Sequence, residues 1–311
     1  MATLHELMLV RQTFKKISGT GSIIAQVNEL AAGIEKLNSI NVSGPYQSEL
    51  IKINLEAKEI EDCLIKIANS KSNLLEIIEN SIKEKTAKFG NDDYEGIMNA
   101  KQAARLTNPT LENISAEVET RVTDRLKTYN NWQYPCLEIG PRKGKWTHHL
   151  VAFEPVYIAD VHNRFLVETI ETFNPEFQKR IRPYVIRDCN LGKLPQNQFG
   201  FVFSWGFFNY VTLNSFEIYL NQIFNLLKPG GTFMFSYNNA DLPRMARFAD
   251  GFEKSYTPLT LLQPMFERIG FVLKNSADVD PTGSWLEIAK PGELASIKRG
   301  AILGEIINIT Y

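Results

Sequence analysis

The sequence predicts an α/β protein, a seven-stranded, doubly wound Rossmann-like sheet preceded by a helical region of coiled-coil character. Three observations predict it. From residue 131 onward, short apolar runs alternate with helical segments, the order that builds a parallel sheet covered on both faces. The first of those runs opens into a glycine-bearing loop, Cys136-Leu-Glu-Ile-Gly140-Pro-Arg-Lys-Gly144. Residues 1–95, by contrast, are glycine-poor and space their apolar residues in alternating steps of three and four.

In the helical region, Ile23, Val27, Leu30, Ile34 and Leu37 fall on one helix stripe, which ends at the turn Asn41-Val-Ser-Gly-Pro45. The pattern resumes through Leu50, Ile53, Ala57, Ile60, Leu64, Ile67, Leu74 and Ile78, with Lys71 the only interruption. Residues 1–95 are therefore expected to drive homo-oligomerisation through their helices; amphipathic packing on the rest of the chain is the alternative. Residues 96–130 are expected to form a helical linker and 131–311 the sheet domain. Its strands are predicted at Cys136–Ile139, Val156–Asp160, Tyr184–Arg187, Phe199–Ser204, Thr232–Tyr237, Phe271–Lys274 and Ser284–Ile288.

Composition narrows the function. The 311 residues are 44% hydrophobic and 22% charged, which excludes wholesale disorder and fibrous repeats. A formal charge of −1 gives no broad attraction to phosphate backbones, so nucleic acid is not indicated. No apolar run is long enough to span a bilayer, and the start lacks the order of a secretory signal; the expectation is a soluble, cytoplasmic protein. Cys63, Cys136 and Cys189 fit neither a disulfide framework nor a zinc spacing, so no metal is expected.

The glycine loop carries most of the chemistry. In a doubly wound sheet it lies at the carboxyl ends of the strands, where ligands bind. Gly140 permits the tight turn and Gly144 a close backbone approach to a ligand. The spacing is not that of the dinucleotide fingerprint, and Glu138, two residues before Gly140, suits a cationic ligand. A purely steric turn is the competing reading. Asp160 closes the second apolar run about 20 residues on, the interval at which such folds reach a ribose diol; a helix N-cap is its alternative. Asp188, after the third run, is placed to accept from an adenine amino group, or is a turn residue.

Together these positions resemble the class I S-adenosylmethionine-dependent methyltransferases, and Leu226-Leu-Lys-Pro-Gly-Gly-Thr232 is similar to the loop before their fifth strand. The likeness spans about residues 133–290. It implies S-adenosyl-L-methionine as cofactor, lined by Glu138, Gly140, Gly144, Asp160 and Asp188. A narrower resemblance is to the group that methylates sugars and surface polysaccharides, whose first motif reads LEIGPGxGxWT. Leu137 to Thr147 matches it except that Arg142 replaces the middle glycine. If that position requires a positive φ, a side chain there costs about 1–2 kcal/mol.

Where that group places an acid, a histidine and a second acid after strand four, this chain has Gly206, Tyr210 and Thr212. After strand five, where it carries a histidine, Ser236-Tyr-Asn-Asn239 stands instead. His5, His148, His149 and His162 lie elsewhere and read as surface residues. The aromatic run Phe199, Phe201, Phe203, Trp205, Phe207 and Phe208 reads as core, the last two being candidates for a pocket wall. The segment Ser284 to Gly300 resembles tails of methyltransferase-like proteins encoded by phages.

The resemblance thus implies methyl transfer to an oxygen or nitrogen of a saccharide or other small acceptor, with the catalytic residues unassigned. The alternative is a structural or assembly protein of a phage particle, virion-associated, with reduced or absent chemistry.

Overall fold

The computed structural model describes residues 3–16, 25, 27–33, 35, 47–104, 114–279 and 283–294, and the chain divides into two compact units, 1–91 and 92–311.

In the first unit, helix α1 (Leu4–Lys16) packs on the 40-residue helix α2 (Gln47–Thr86). Leu4 and Met8 are buried, as are Ile78 and Ile82 on α2, and Arg11 pairs with Glu79 at 2.7 Å. The residues that α2 turns inward are Asn54, Ala57, Glu61, Leu64, Ala68, Lys71, Leu75, Ile78 and Ile82, a seam in steps of three and four. This seam shares Ala57, Leu64, Lys71 and Ile78 with the stripe read from sequence. The other stripe members, Ile53, Ile60, Ile67 and Leu74, recur every seven residues and stand 45–55% exposed. Lys71, which looked like an interruption, is buried in the inward seam. Of the first stripe, Ile23, Ile34 and Leu37 lie outside the described residues.

The second unit begins with two helices, α3 (Asp92–Ala104) and α4 (Ala116–Tyr129). Ser115 caps α4, its hydroxyl accepting from the Val118 N–H. The strands follow as β1 (Cys136–Ile139), β2 (Val156–Asp160), β3 (Ile181–Val185), β4 (Phe199–Ser204), β5 (Leu227–Tyr237), β6 (Val272–Val279) and β7 (Gly283–Ala289). Between β2 and β3 lie α5 (Asn163–Glu171) and α6 (Pro175–Gln178). Helix α7 (Leu213–Leu226) precedes β5, and α8 (Pro243–Asp250) and α9 (Leu259–Ile269) follow it.

The sheet has seven strands in the order β3-β2-β1-β4-β5-β7-β6. Six strands run in one direction, β1 to β5 pairing parallel, whereas β7 is antiparallel to both β5 and β6, so the sheet is mixed. The antiparallel member arises because β6 and β7 are joined by a connection too short for a crossover helix. Strand β3 starts three residues before its sequence-predicted bound and β5 five residues before.

Alternation along each strand sends side chains to two cores. Leu137, Ile139, Val202, Phe233 and Phe235 join Phe216, Leu220 and Leu262 on one face. Cys136, Val156, Ile158, Phe201, Phe203 and Met234 join Val122, Leu126 and Leu166 on the other. A register shift between Phe199 and Phe201 puts these two aromatics on opposite faces. Helix α4 is also held by Glu287 of β7, fully buried, whose carboxylate takes Arg125 Nε at 2.7 and 2.9 Å, Tyr129 at 2.5 Å and Asn275 Nδ2 at 3.0 Å.

Candidate active site

The strand order reverses at β1, which lies between β2 and β4, and the crevice beyond the carboxyl ends of these strands is where doubly wound sheets bind ligands. Ser204, the last residue of β4, donates from Oγ to the Ile139 carbonyl at 2.8 Å and ties the two strand ends together.

On the β1–β3 side, Gly140 has φ +77° and donates its N–H to the Ala159 carbonyl at 2.7 Å. Glu138 and Asp160 have the same parity on neighbouring strands, share one face, and are each about 1% exposed. Thr147 donates to Glu138 Oε2 at 2.6 Å. Burial pushes the Glu138 carboxyl up to about 8, and the Asp160 charge adds to the rise while the Thr147 bond opposes it. Asp160 Oδ1 accepts from the His162 N–H at 3.0 Å; His162 is itself the N-cap residue of α5 and no side chain caps that helix, so the capping alternative for Asp160 does not hold. Two buried carboxyls side by side fit a ligand that brings a cation and hydroxyl donors, as S-adenosylmethionine does. Asp188 lies in the turn after β3, exposed, with φ +51°; the preceding Ile186 N–H donates to the Asp160 carbonyl at 2.8 Å and holds this turn to the end of β2.

Gly144 has φ +77° and is buried, and a Cβ there would stand 3.1 Å from Thr169 Cγ2 and 3.2 Å from Thr172 Oγ1. Its missing side chain therefore lets the loop close on α5, a packing role that the sequence reading had given to ligand approach. Arg142 has φ +52°, so the position does require the conformation that favours glycine. Thr169 Oγ1 donates to the Arg142 carbonyl at 2.9 Å and holds the loop in that shape.

On the β4–β5 side the residues that end or directly follow the strands are neutral. Gly206 has φ +78°, donates its N–H to Ser236 Oγ at 2.7 Å, and has nothing within 4 Å of where a Cβ would be. Phe207 and Phe208 are fully buried among Phe216, Tyr219 and Phe235, which makes them core and not pocket wall. Tyr210 is buried, and Thr212 caps α7, accepting from the Ser215 N–H. Asn238 Nδ2 donates to the carbonyls of Met245 and Ser255 at 3.0 and 2.9 Å. Asn209 accepts from Ser255 at its backbone carbonyl, 2.7 Å from the N–H.

Helix α3 supplies residues that sequence reasoning missed. Glu95 Oε1 takes hydroxyl hydrogens from Thr212 and Ser215, both at 2.7 Å. A carboxylate thus does stand beside position 212, brought from more than a hundred residues away. Tyr94 is buried and its hydroxyl accepts from the Tyr256 N–H at 2.5 Å. Nothing in the run Asp92-Asp-Tyr-Glu95 marks these contacts in advance. Lys254, also missed, is buried, and burial lowers its ammonium to about 8. Of the histidines, only His148 is exposed among those in the second unit. His162 is half-buried, packs edge-on against Phe165 at 5.9 Å, and keeps Nε2 buried without a hydrogen-bond partner among the described residues.

Comparison with known proteins settles the class. Residues 106–275, more than half of the chain, match the family described as a methyltransferase domain. This chain belongs to that family. It is an S-adenosylmethionine-dependent methyltransferase, as the sequence resemblance implied, and S-adenosyl-L-methionine is its cofactor. No curated protein sequence matches it. Solved structures that it resembles include an S-adenosylmethionine-dependent methyltransferase from Clostridium acetobutylicum, 12% identical, covering 62% of this chain and 99% of that one at a TM-score of 0.49. Another is the Haemonchus contortus phosphoethanolamine N-methyltransferase 2, solved with S-adenosylhomocysteine, 13% identical, covering 56% of this chain and 53% of that one at 0.45. A methyltransferase from Mesorhizobium loti is 14% identical, covering 53% and 96% at 0.43. Among the described residues no helix is long and apolar enough to cross a membrane, and no cluster could hold a metal ion.

Proposed function

We propose that this methyltransferase acts on an oxygen or nitrogen of a sugar or other small acceptor, with cofactor and acceptor divided along one sheet edge. The observation that supports the division is chemical: buried acids end β1 and β2, whereas open space over Gly206 and neutral side chains end β4 and β5. Gly140 and the backbone through Gly144 would cradle the cofactor, Glu138 would face its positive charge, Asp160 its ribose and Asp188 its adenine. The cofactor supplies an activated methyl group. The protein's part is to hold the acceptor in line with it and to exclude water, a contribution of up to about 7–11 kcal/mol in well-oriented reactions. Titration calorimetry of the full chain with S-adenosylhomocysteine tests this reading. Binding that vanishes in the folded wild-type protein up to millimolar ligand would reject it.

An assembly protein, as of a phage particle, that keeps the fold with weak chemistry is the second reading. Arg142 at φ +52° and the neutral residues at 206, 210, 212 and 238 favour it. Homo-oligomerisation accompanies either reading. The exposed line of Ile53, Ile60, Ile67 and Leu74 supports a second copy of α2 as the partner, since a second copy would take this apolar surface out of water. Light scattering checks it: a monomeric full-length chain would remove the proposal.

A further inference from the structure

We infer that Thr147 is a positioning residue for the cofactor: its hydroxyl grips one oxygen of Glu138 and readies that side chain, as a carboxylate, for the positive charge of the ligand. The inference rests on the cofactor reading above and deepens it. Glu138 lies on β1 with Ile158 of β2 and Phe203 of β4 as its register partners, and it is buried. The glycine loop leaves the end of β1 and comes back over this residue. Trp146 anchors the returning chain, its ring 6.0 Å from that of Phe203 and 5.6 Å from that of Trp205. Thr147, the next residue, is fully buried and opens the short turn Thr147–His149, in which the Leu150 N–H bonds to its carbonyl at 2.9 Å. So held, its hydroxyl gives its hydrogen to Glu138 Oε2 at 2.6 Å. Oε1 takes no hydrogen bond among the described residues, which leaves it for a ligand.

A single bond matters here because nothing else in the protein supports the charge. Burial and the Asp160 carboxylate on β2 both favour the protonated form, and Thr147 is the neighbour that opposes them. Cys136, two residues earlier on the same face, is a thiol that burial keeps neutral. The nearby cations are engaged elsewhere: Lys145 of the loop pairs with Glu119 at 2.8 Å, Arg125 of α4 pairs with Glu287, and Arg121 of α4 lies over the Trp285 ring at 5.3 Å. Neither they nor Arg142, Lys143 and His162 act on the Glu138 charge. When a cation is held at the site, Glu138 gives its proton to water and stays as the carboxylate. The bond from Thr147 to a carboxylate is stronger than its bond to the neutral acid, so the hydroxyl contributes to cation binding without touching the cation. Valine has nearly the same shape and lacks the donor. With valine in place Glu138 keeps its proton to higher pH, and the ligand has a tighter proton to displace.

The test measures S-adenosylmethionine binding to the full-length protein by titration calorimetry between about pH 6 and 9, in buffers of different ionisation enthalpy. Wild-type affinity should rise with pH and level off near 8, where proton release dies away. Thr147→Val should bind about tenfold more weakly at pH 7, the effect of one hydrogen bond to a charged group, and its affinity should keep rising past the wild-type plateau. Thr147→Ser, which keeps the hydroxyl, should restore the wild-type profile. Titration of the ligand's own amino group is common to every variant and drops out of the comparison. A threonine that only packs would lower affinity by the same factor at every pH. A midpoint that stays where it is in folded Thr147→Val, or a wild-type affinity that does not change with pH, would therefore overturn the inference. Failure of S-adenosylmethionine to bind the folded wild-type protein at any pH would instead reject the underlying reading.

Discussion

The two halves of the sheet edge solve opposite problems. At β1 and β2 the protein buries two carboxyls on one face, accepting a Glu138 pushed up to about 8 in exchange for a site that a cation and a diol would complete. At β4 and β5 it buries carboxamides and hydroxyls, and α3 closes over them through Tyr94 and Glu95. On the proposed division, the cofactor half is built from carboxyls carried by adjacent strands. The acceptor half is built from carboxamides and hydroxyls, with the Glu95 carboxylate beside them, brought together from four distant segments.

The largest effect that should separate the halves is Asp160→Ala. Losing a hydrogen-bonded carboxylate is expected to weaken S-adenosylhomocysteine binding by roughly ten- to hundredfold in calorimetry. Acceptor-side substitutions should leave that affinity unchanged.

The next effect is a pH dependence. Glu138 is protonated in the free protein below about 8, and a cationic cofactor favours its charged form, so binding at pH 7 should release a proton. Affinity should then rise with pH toward 8, by at most about tenfold per unit. Stability has the opposite sign: the folded state holds this proton more tightly than the unfolded one, so Glu138 costs stability as pH rises from 4.5 to about 8. Calorimetry in buffers of different ionisation enthalpy reads the proton, and Glu138→Gln should abolish it.

Smaller effects address α3 and the glycine loop. Tyr94→Phe strands the buried Tyr256 N–H and should destabilise the protein by about 1–3 kcal/mol in thermal unfolding, with cofactor affinity retained. Arg142→Gly should relieve the positive φ and raise stability by up to about 1 kcal/mol, read as a higher melting temperature; an unchanged or lower one would show that the position carries no strain.

Much of the first half was legible in the sequence. The strands β1, β2 and β4 have the bounds that their apolar runs predict, and the glycine loop with Glu138 and Asp160 falls where a doubly wound sheet puts its ligand. These features are local: each depends on neighbours in sequence or on strand parity. The antiparallel β7 was less legible, because strand direction depends on connection length and not on apolar pattern. In α2 the apolar pattern holds two stripes that share half their members, and only packing shows which one turns inward.

The acceptor half was not legible, because Tyr94, Glu95, Asn209, Asn238 and Ser255 are ordinary residues until the fold joins them. Thr212 shows the cost of reading it from resemblance alone. Replacing Tyr210 by His and Thr212 by Glu, to restore the bases of the sugar-methylating group, looks from the sequence like a way to raise turnover. In the structure that glutamate would remove the α7 cap and meet Glu95. The double variant should therefore lose stability before it gains activity.

The most direct test of the division is a crystal structure of the full chain with S-adenosylhomocysteine bound. The account predicts density along Gly140–Gly144, with the ribose on Asp160 and the sulfur directed toward the open space at Gly206. Ligand density lying instead over the β4–β5 residues, with Glu138 and Asp160 untouched, would contradict it.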